Sequence, residues 1–131
     1  MVDVARGAMM QSRIDYLDVA PGAVAAMHEV QRYVDHCGLE KSLLELVKLR
    51  ASQINGCAYC VDMHSKDARA LGESEQRLYA VAVWREAPFF SDRERAALAW
   101  TEAVTLVAQT GVPDEVYQLV APNSARKSWW I

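Results

Sequence analysis

The sequence has no long apolar run, no cluster of basic residues and no apolar core of signal-peptide length near its N-terminus. Its apolar runs are short and interrupted by charge, which excludes a transmembrane helix, and residues 1–11 do not match a signal peptide. A formal net charge of −3 without a basic cluster argues against nucleic acid and anionic membranes as partners. We therefore expect a cytoplasmic protein that binds neither.

Cysteine is also scarce, since Cys37, Cys57 and Cys60 are the three that the chain contains. An odd number of cysteines without a signal peptide does not indicate the disulfide framework of a secreted protein. In a reducing compartment, a CxxC pair such as Cys57 and Cys60 is more typical of a catalytic or metal-binding site. Cys37 alone is typical of a small buried apolar residue.

The chain also lacks the alternating pattern of β-strands, and helical spacing replaces it. Its 131 residues, 52% of them hydrophobic, predict one ordered all-α domain over 1–131, with an N-terminal arm at 1–17 and an irregular tail at 121–131. Pro21, with Asp18 as its cap, is expected to open the first of six helices. The periodicity and the helix-breaking residues place these helices at about 21–37, 40–54, 57–71, 74–86, 91–111 and 113–120.

The pair Asn55-Gly56 separates two of these helices, so residues 40–71 are expected to form a helical hairpin at the centre of the bundle. Cys57 and Cys60 begin its second helix, and His64 lies on the same face because residues three, four and seven apart are neighbours. The partial positive charge of a helix N-terminus stabilises a thiolate. Two thiols one turn apart can close a disulfide, and His64 is placed to take or give a proton.

Glu45 is a candidate fourth member of this site. In a hairpin, Glu45 lies roughly 15 Å above the turn on one arm and His64 roughly 12 Å above it on the other, so their side chains can meet. A carboxylate there would orient the imidazole and raise its basicity. The alternative is a solvated ion pair of Glu45 with Lys41 or Lys48 on the same helix.

Several other interpretations of the cysteines remain. Haem attachment requires a histidine directly after the second cysteine, where Val61 stands, and a thioredoxin-like site requires a βαβ setting. A structural zinc site requires four ligands, and Cys57, Cys60 and His64 would need Cys37 or His36 as the fourth. Two inert core cysteines are a further alternative, which the histidine on the same face disfavours.

The pattern of Glu45, eleven residues, Cys57-Ala58-Tyr59-Cys60, three residues and His64 resembles the core of the alkylhydroperoxidase D-like proteins of the carboxymuconolactone decarboxylase superfamily. The resemblance extends over about residues 43–120. It implies an all-α fold, assembly into trimers or hexamers, and a thiol-dependent peroxidase or disulfide reductase activity. It also implies that Cys60 is the thiol nearest His64, that Cys57 is its disulfide partner and that Glu45 belongs to a proton relay.

Two departures accompany the resemblance. Tyr59 stands where the best-known member of the family has a second histidine, and the family's further long helix after about Val120 is expected to be missing from the irregular tail. The decarboxylase branch lacks the CxxC pair, so Cys57 and Cys60 argue against that activity.

The leading hypothesis is a thiol antioxidant enzyme that reduces hydroperoxides or a partner disulfide by cycling through a Cys57–Cys60 disulfide. It requires no metal or organic cofactor, but it needs a separate thiol reductant, and we expect a homo-oligomer. One alternative is an oligomeric module that senses redox state or binds zinc without catalysis. Another is a lyase acting on a small acid, which would need cationic groups in a pocket, with three candidates: Arg50, Arg69 and Arg85.

Overall fold

A computed structural model describes residues 13–121, and all regular structure in that range is helical, as predicted. Most of the predicted arm (residues 1–12) and almost all of the predicted tail (residues 122–131) lie outside the described range. The chain divides after Val34 into two compact units. No helix of the described range is long and apolar enough to cross a membrane.

The first unit contains α1 (Tyr16–Val19) and most of α2 (Pro21–Asp35). The prediction that Asp18 caps the helix at Pro21 was wrong, because Asp18 lies inside α1. Asp15 caps α1 instead, and its carboxylate accepts from the backbone N–H groups of Leu17 and Asp18. The α2 helix begins at Pro21 as predicted and ends two residues before the predicted Cys37.

The second unit opens with the predicted hairpin, α3 (Lys41–Asn55) and α4 (Ala58–Ala70). Gly56 ends α3 in the left-handed conformation, with φ of 66°, and its N–H donates to the carbonyl of Gln53. Only glycine adopts this conformation at little cost, so the Asn55-Gly56 break fixes where the chain reverses. Cys57 then caps α4, so the CxxC pair lies at the N-terminus of the second arm, as expected.

The predicted helix over 74–86 is shorter than expected. Ser74 caps α5 (Glu75–Ala80), but a 3₁₀ turn follows at Val81–Val83 and the helix does not continue to Glu86. The guanidinium of Arg95, from the next helix, donates to three carbonyls that an α-helix would have used, those of Trp84, Arg85 and Ala87. Pro88 also disfavours a helical residue before it.

The capping box at Ser91 and Glu94 is present at the start of α6 (Asp92–Thr105), as predicted. The helix was expected to continue to Gly111, but it breaks at Leu106 and resumes as the single turn α7 (Val107–Thr110). Three β-branched residues in four positions lower the helix propensity there: Val104, Thr105 and Val107. The chain then forms α8 (Asp114–Val120).

The core of this unit lies between α3, α4, α6 and the segment from α5 to Phe90. Four side chains are fully buried at its centre: Leu46, Leu49, Val81 and Leu98. The α3 helix packs against α4 on one side and α6 on another, which explains why its apolar positions cover more than one stripe. The hairpin is therefore held from both sides by the core.

Candidate functional site

Cys57 and Cys60 are joined as a disulfide at the first turn of α4, with their Cα atoms 5.4 Å apart. Cys57 is the N-cap residue, and its sulfur accepts the backbone N–H of Cys60 at 3.3 Å. A capping sulfur takes one of the N–H groups that a helix start leaves without an intrahelical partner. The same N–H and the helix dipole would stabilise negative charge on the Cys57 sulfur in the dithiol form.

Glu45 and His64 meet across the hairpin, as the comparison of helix heights predicted. The Oε2 atom of Glu45 lies 2.8 Å from Nδ1 of His64. Glu45 is only 8% exposed, and the His64 side chain is mostly buried. A carboxylate at Nδ1 fixes the ring so that Nδ1 carries the proton and Nε2 is free to accept one.

The second oxygen of the Glu45 carboxylate binds a lysine. Lys48 Nζ lies 3.1 Å from Oε1, one turn further along α3, so the two oxygens have different partners. The ion pair considered for Glu45 is therefore present, but the carboxylate is buried instead of solvated. Lys48 holds the carboxylate in the orientation that presents Oε2 to His64.

Asp67 joins this group, and the sequence reasoning did not identify it. One ligand atom from each of Glu45, His64 and Asp67 can be chosen so that all lie within 4.8 Å of one another. Asp67 follows His64 by three residues on α4, a spacing that puts both on one face and that could have indicated the contact. Unlike the other two, Asp67 is exposed.

The cationic residues considered for a lyase are engaged elsewhere. Arg50 and Arg85 line a cleft of about 280 Å³ together with Trp84, but both guanidinium groups bind the Glu102 carboxylate. Burial acts to raise the pKa of Glu102, but hydrogen bonds outweigh it and hold that pKa below its ordinary value; the donors are Arg85, Trp84 and Arg50. Arg69 instead pairs with Glu75. No observation therefore favours an acid substrate in this cleft.

The remaining candidates from the sequence are Tyr59, Cys37 and the zinc set that includes the two cysteines. Tyr59, between the two cysteines, is exposed. Cys37 carries a free thiol and is half-buried. The zinc set of Cys57, Cys60 and His64 is not available in the disulfide form, because each sulfur is bonded to the other.

Comparison with known proteins identifies the family of the chain. The model of the carboxymuconolactone decarboxylase family matches residues 20–103. The uncharacterized protein YdfG of Bacillus subtilis strain 168 is 42% identical over 111 residues, which cover 85% of this chain and 76% of YdfG. The uncharacterized protein YnjA of Escherichia coli K12 is 39% identical over 72 residues, 55% of this chain and 40% of YnjA.

A solved structure is similar over most of the chain. It is ATU0492 from Agrobacterium tumefaciens, a protein of unknown function whose suggested identity is the antioxidant defence protein AhpD. The TM-score is 0.84 at 44% sequence identity, and the match covers 89% of this chain and 80% of ATU0492. The family match and this structural neighbour agree with the predicted resemblance, so the chain belongs to the carboxymuconolactone decarboxylase family as an alkylhydroperoxidase D-like protein.

Proposed function

We propose that the chain is a thiol-dependent antioxidant enzyme that reduces hydroperoxides by cycling Cys57 and Cys60 between dithiol and disulfide. The observation that supports it best is the Cys57–Cys60 disulfide at a helix N-terminus, one turn from a histidine whose ring is held by a buried carboxylate. A family position among alkylhydroperoxidase D-like proteins agrees with the same chemistry.

In the first step, Nε2 of His64 takes the proton of the Cys60 thiol, which lies one turn before it on α4. The thiolate attacks the outer oxygen of the hydroperoxide, so a sulfur–oxygen bond forms and the oxygen–oxygen bond breaks. The imidazolium returns its proton to the departing alkoxide, which leaves as an alcohol. Cys60 is then a sulfenic acid.

In the second step, the Cys57 thiol gives up its proton and its sulfur attacks the Cys60 sulfur; the disulfide forms, and the leaving hydroxyl takes up that proton and departs as water. Two electrons have passed from the two thiols to the peroxide. A separate thiol reductant then attacks Cys60 to form a mixed disulfide, and Cys57 leaves as a thiolate that the Cys60 N–H and the helix N-terminus stabilise. A second thiol of the reductant displaces Cys60 from the mixed disulfide, so the reductant is oxidised to its disulfide and the dithiol is restored. Glu45 acts through His64 as a positioning residue, and a disulfide of a partner protein can replace the peroxide as the oxidant.

We also propose that the protein works as a homo-oligomer. The α2 helix has no buried residue within its own unit and exposes three large apolar side chains: Met27, Val30 and Tyr33. An apolar helix face of this kind is typical of a subunit contact. Sedimentation equilibrium of the full chain tests this, and a monomer at micromolar concentration would contradict it.

A thiol titration tests the activity directly. Reduced protein, which carries three thiols, is mixed with one equivalent of an alkyl hydroperoxide, and free thiols, alcohol and peptide masses are measured. We expect two thiols to be lost per alcohol formed, with a Cys57–Cys60 disulfide in the peptide map.

Two variants complete the test. Cys37→Ser should still lose two thiols, because Cys37 lies outside the redox pair. Cys60→Ser should form alcohol far more slowly than the unaltered protein. If reduced protein keeps its thiols, or if Cys60→Ser loses the same number, the proposed reaction is wrong.

A further inference from the structure

We propose that Glu45, His64 and Asp67 form a binding site for a divalent transition-metal ion, for which zinc is the best match. The binding itself stands on the geometry of these three side chains. A second part, that bound zinc blocks thiol oxidation, rests on the function proposed above.

The hairpin brings the three ligands to one place from two helices. His64 and Asp67 are three residues apart on α4, and Glu45 faces them from α3. Carboxylate-bridged metal sites in helical bundles use a related arrangement, with a carboxylate and a histidine three residues apart on one helix and a carboxylate from a facing helix, although there the carboxylate precedes the histidine. The three ligands therefore come together only when α3 and α4 fold back on each other as a hairpin.

The distances agree with a single ion. Oxygen and nitrogen ligands lie about 2.0–2.2 Å from zinc, so two ligands of one ion cannot be more than about 4.4 Å apart. Glu45 Oε2 and His64 Nδ1, hydrogen-bonded at 2.8 Å, lie within this limit and need to move apart only to about 3.3 Å to hold a tetrahedral ion between them. The full set spans up to 4.8 Å, and Asp67 can close the difference because its exposed side chain rotates at little cost.

The donor set selects the kind of ion. An imidazole with two carboxylates suits zinc, manganese or iron(II), and among these the usual order of affinity favours zinc. Two carboxylates neutralise the two positive charges of the ion. The exposed side of the site, at Asp67, leaves room for water as a fourth ligand, as in open zinc sites.

Lys48 limits the affinity. Its ammonium binds Oε1 of Glu45, while the metal would use Oε2, so both can bind the carboxylate at once but repel each other. Zinc binding is therefore expected to be reversible and to tighten when the charge of Lys48 is removed. This distinguishes the site from unspecific zinc binding at exposed histidines such as His28.

Zinc would also disable the relay. The ion takes the place of the hydrogen bond between Glu45 and His64, and the ring proton moves from Nδ1 to Nε2. Nε2 then has no lone pair with which to take the proton of a thiol. Thiol oxidation should stop while the ion is bound and should resume after chelation.

The binding experiment uses oxidised protein, because the Cys57–Cys60 disulfide removes both sulfurs as ligands. Equilibrium dialysis against zinc should give one ion per chain, and cobalt(II) as a probe should show an absorption spectrum without sulfur-to-metal charge transfer. Asp67→Asn should weaken zinc binding by at least about tenfold, and Lys48→Met should strengthen it. Asp62→Asn is the matched control, since Asp62 lies on the same helix but pairs with Lys66.

Equal zinc affinity in Asp67→Asn and Asp62→Asn, or no stoichiometric binding to oxidised protein, would overturn the site. None of these measurements requires activity, so they stand even if the peroxidase proposal fails. For the regulatory part, each reduced variant is compared with itself with and without zinc. The measured quantity is the rate of thiol oxidation with zinc divided by the rate without it. This ratio should be far below one in Asp62→Asn and much closer to one in Asp67→Asn. Equal inhibition of both variants would mean that zinc acts on the thiols instead.

Discussion

Glu102 is expected to be the single most important charged residue for the stability of the second unit. Its carboxylate accepts from Arg50 Nε at 2.8 Å and from Trp84 Nε1 at 2.9 Å, and it also binds Arg85. The Glu102 side chain is only 12% exposed and that of Arg50 18% exposed. These bonds tie α6 and the segment after α5 to α3, the helix that carries Glu45.

The change Glu102→Gln removes the charge but keeps an amide oxygen that can still accept the hydrogen bond of Trp84. Arg50 binds the same oxygen as Trp84, so its hydrogen bond can remain but loses its charge assistance, and its mostly buried guanidinium loses its counter-charge. A hydrogen bond to a charged group contributes about 1.5–3 kcal/mol, and a buried charge left without its partner adds to the cost. The bond to Arg85 contributes little, because that side chain is 60% exposed and screened by solvent. We therefore expect the free energy of unfolding to fall by about 2–3 kcal/mol.

Urea denaturation followed by circular dichroism, at one fixed chain concentration, measures this loss. The midpoint should fall while the slope stays unchanged, because the surface exposed on unfolding is the same. Glu40→Gln is the matched control, since Glu40 pairs with Arg93 at the surface and its loss should cost less than about 1 kcal/mol. A cost for Glu102→Gln no larger than that of Glu40→Gln would refute the reasoning.

Three further predictions concern pH, the hairpin turn and the relay. Burial acts to raise the pKa of Glu94, but hydrogen bonds outweigh it and lower that pKa, as they do for Glu102. The stability that these two carboxylates contribute is therefore present above pH 4.5, their ordinary pKa, and declines as the pH falls through the lower pKa of the folded state. A urea midpoint that stays constant from about pH 5 to about pH 3 would contradict this. Gly56→Ala should lower the free energy of unfolding by about 1–2 kcal/mol because of its left-handed backbone. Gly22→Ala inside α2 should instead raise it by about 0.5–1 kcal/mol. Calorimetry that gives both changes the same sign would contradict the left-handed turn at Gly56. Glu45→Gln should slow thiol loss in the peroxide assay by at least about tenfold, and an unchanged rate would remove it from the relay.

The central hairpin could be predicted because its signals are local. The Asn55-Gly56 break, the strong helix formers before it and the CxxC spacing after it act within a few residues of each other. The meeting of Glu45 and His64 then followed from the rise per residue, because the two residues lie at similar heights above the turn on the two arms of the hairpin. The end of α5 could not be predicted in this way. The end of α5 depends on Arg95, which is distant in sequence and satisfies carbonyls there.

The Glu102 network and Asp67 were not identified for different physical reasons. Glu102 meets Arg50 across 52 positions of sequence, and no helical spacing within α6 indicates such a partner. Asp67 had a local signal, its three-residue spacing from His64, but many exposed acidic residues share such a spacing with a histidine by chance. Only the position of Glu45 on the facing helix distinguishes Asp67 from them.

The proposed redox site and the Glu102 network occupy different sides of α3, and this separates their effects. Glu45 and Arg50 are five residues apart, which puts them about 140° apart around the helix. Glu45 therefore faces α4 and His64, while Arg50 faces α6 and Glu102.

A variant of Glu102 should lower stability without changing the rate of thiol loss, since the distance between α3 and α4 depends on the other face of α3. A variant of Gly56 alters the turn that sets this distance, so it should lower stability, the rate of thiol loss and zinc affinity together. If Glu102→Gln, studied well below its unfolding midpoint, slowed thiol loss as much as Gly56→Ala, the two faces of α3 would be coupled and the site could not be assigned to the hairpin alone.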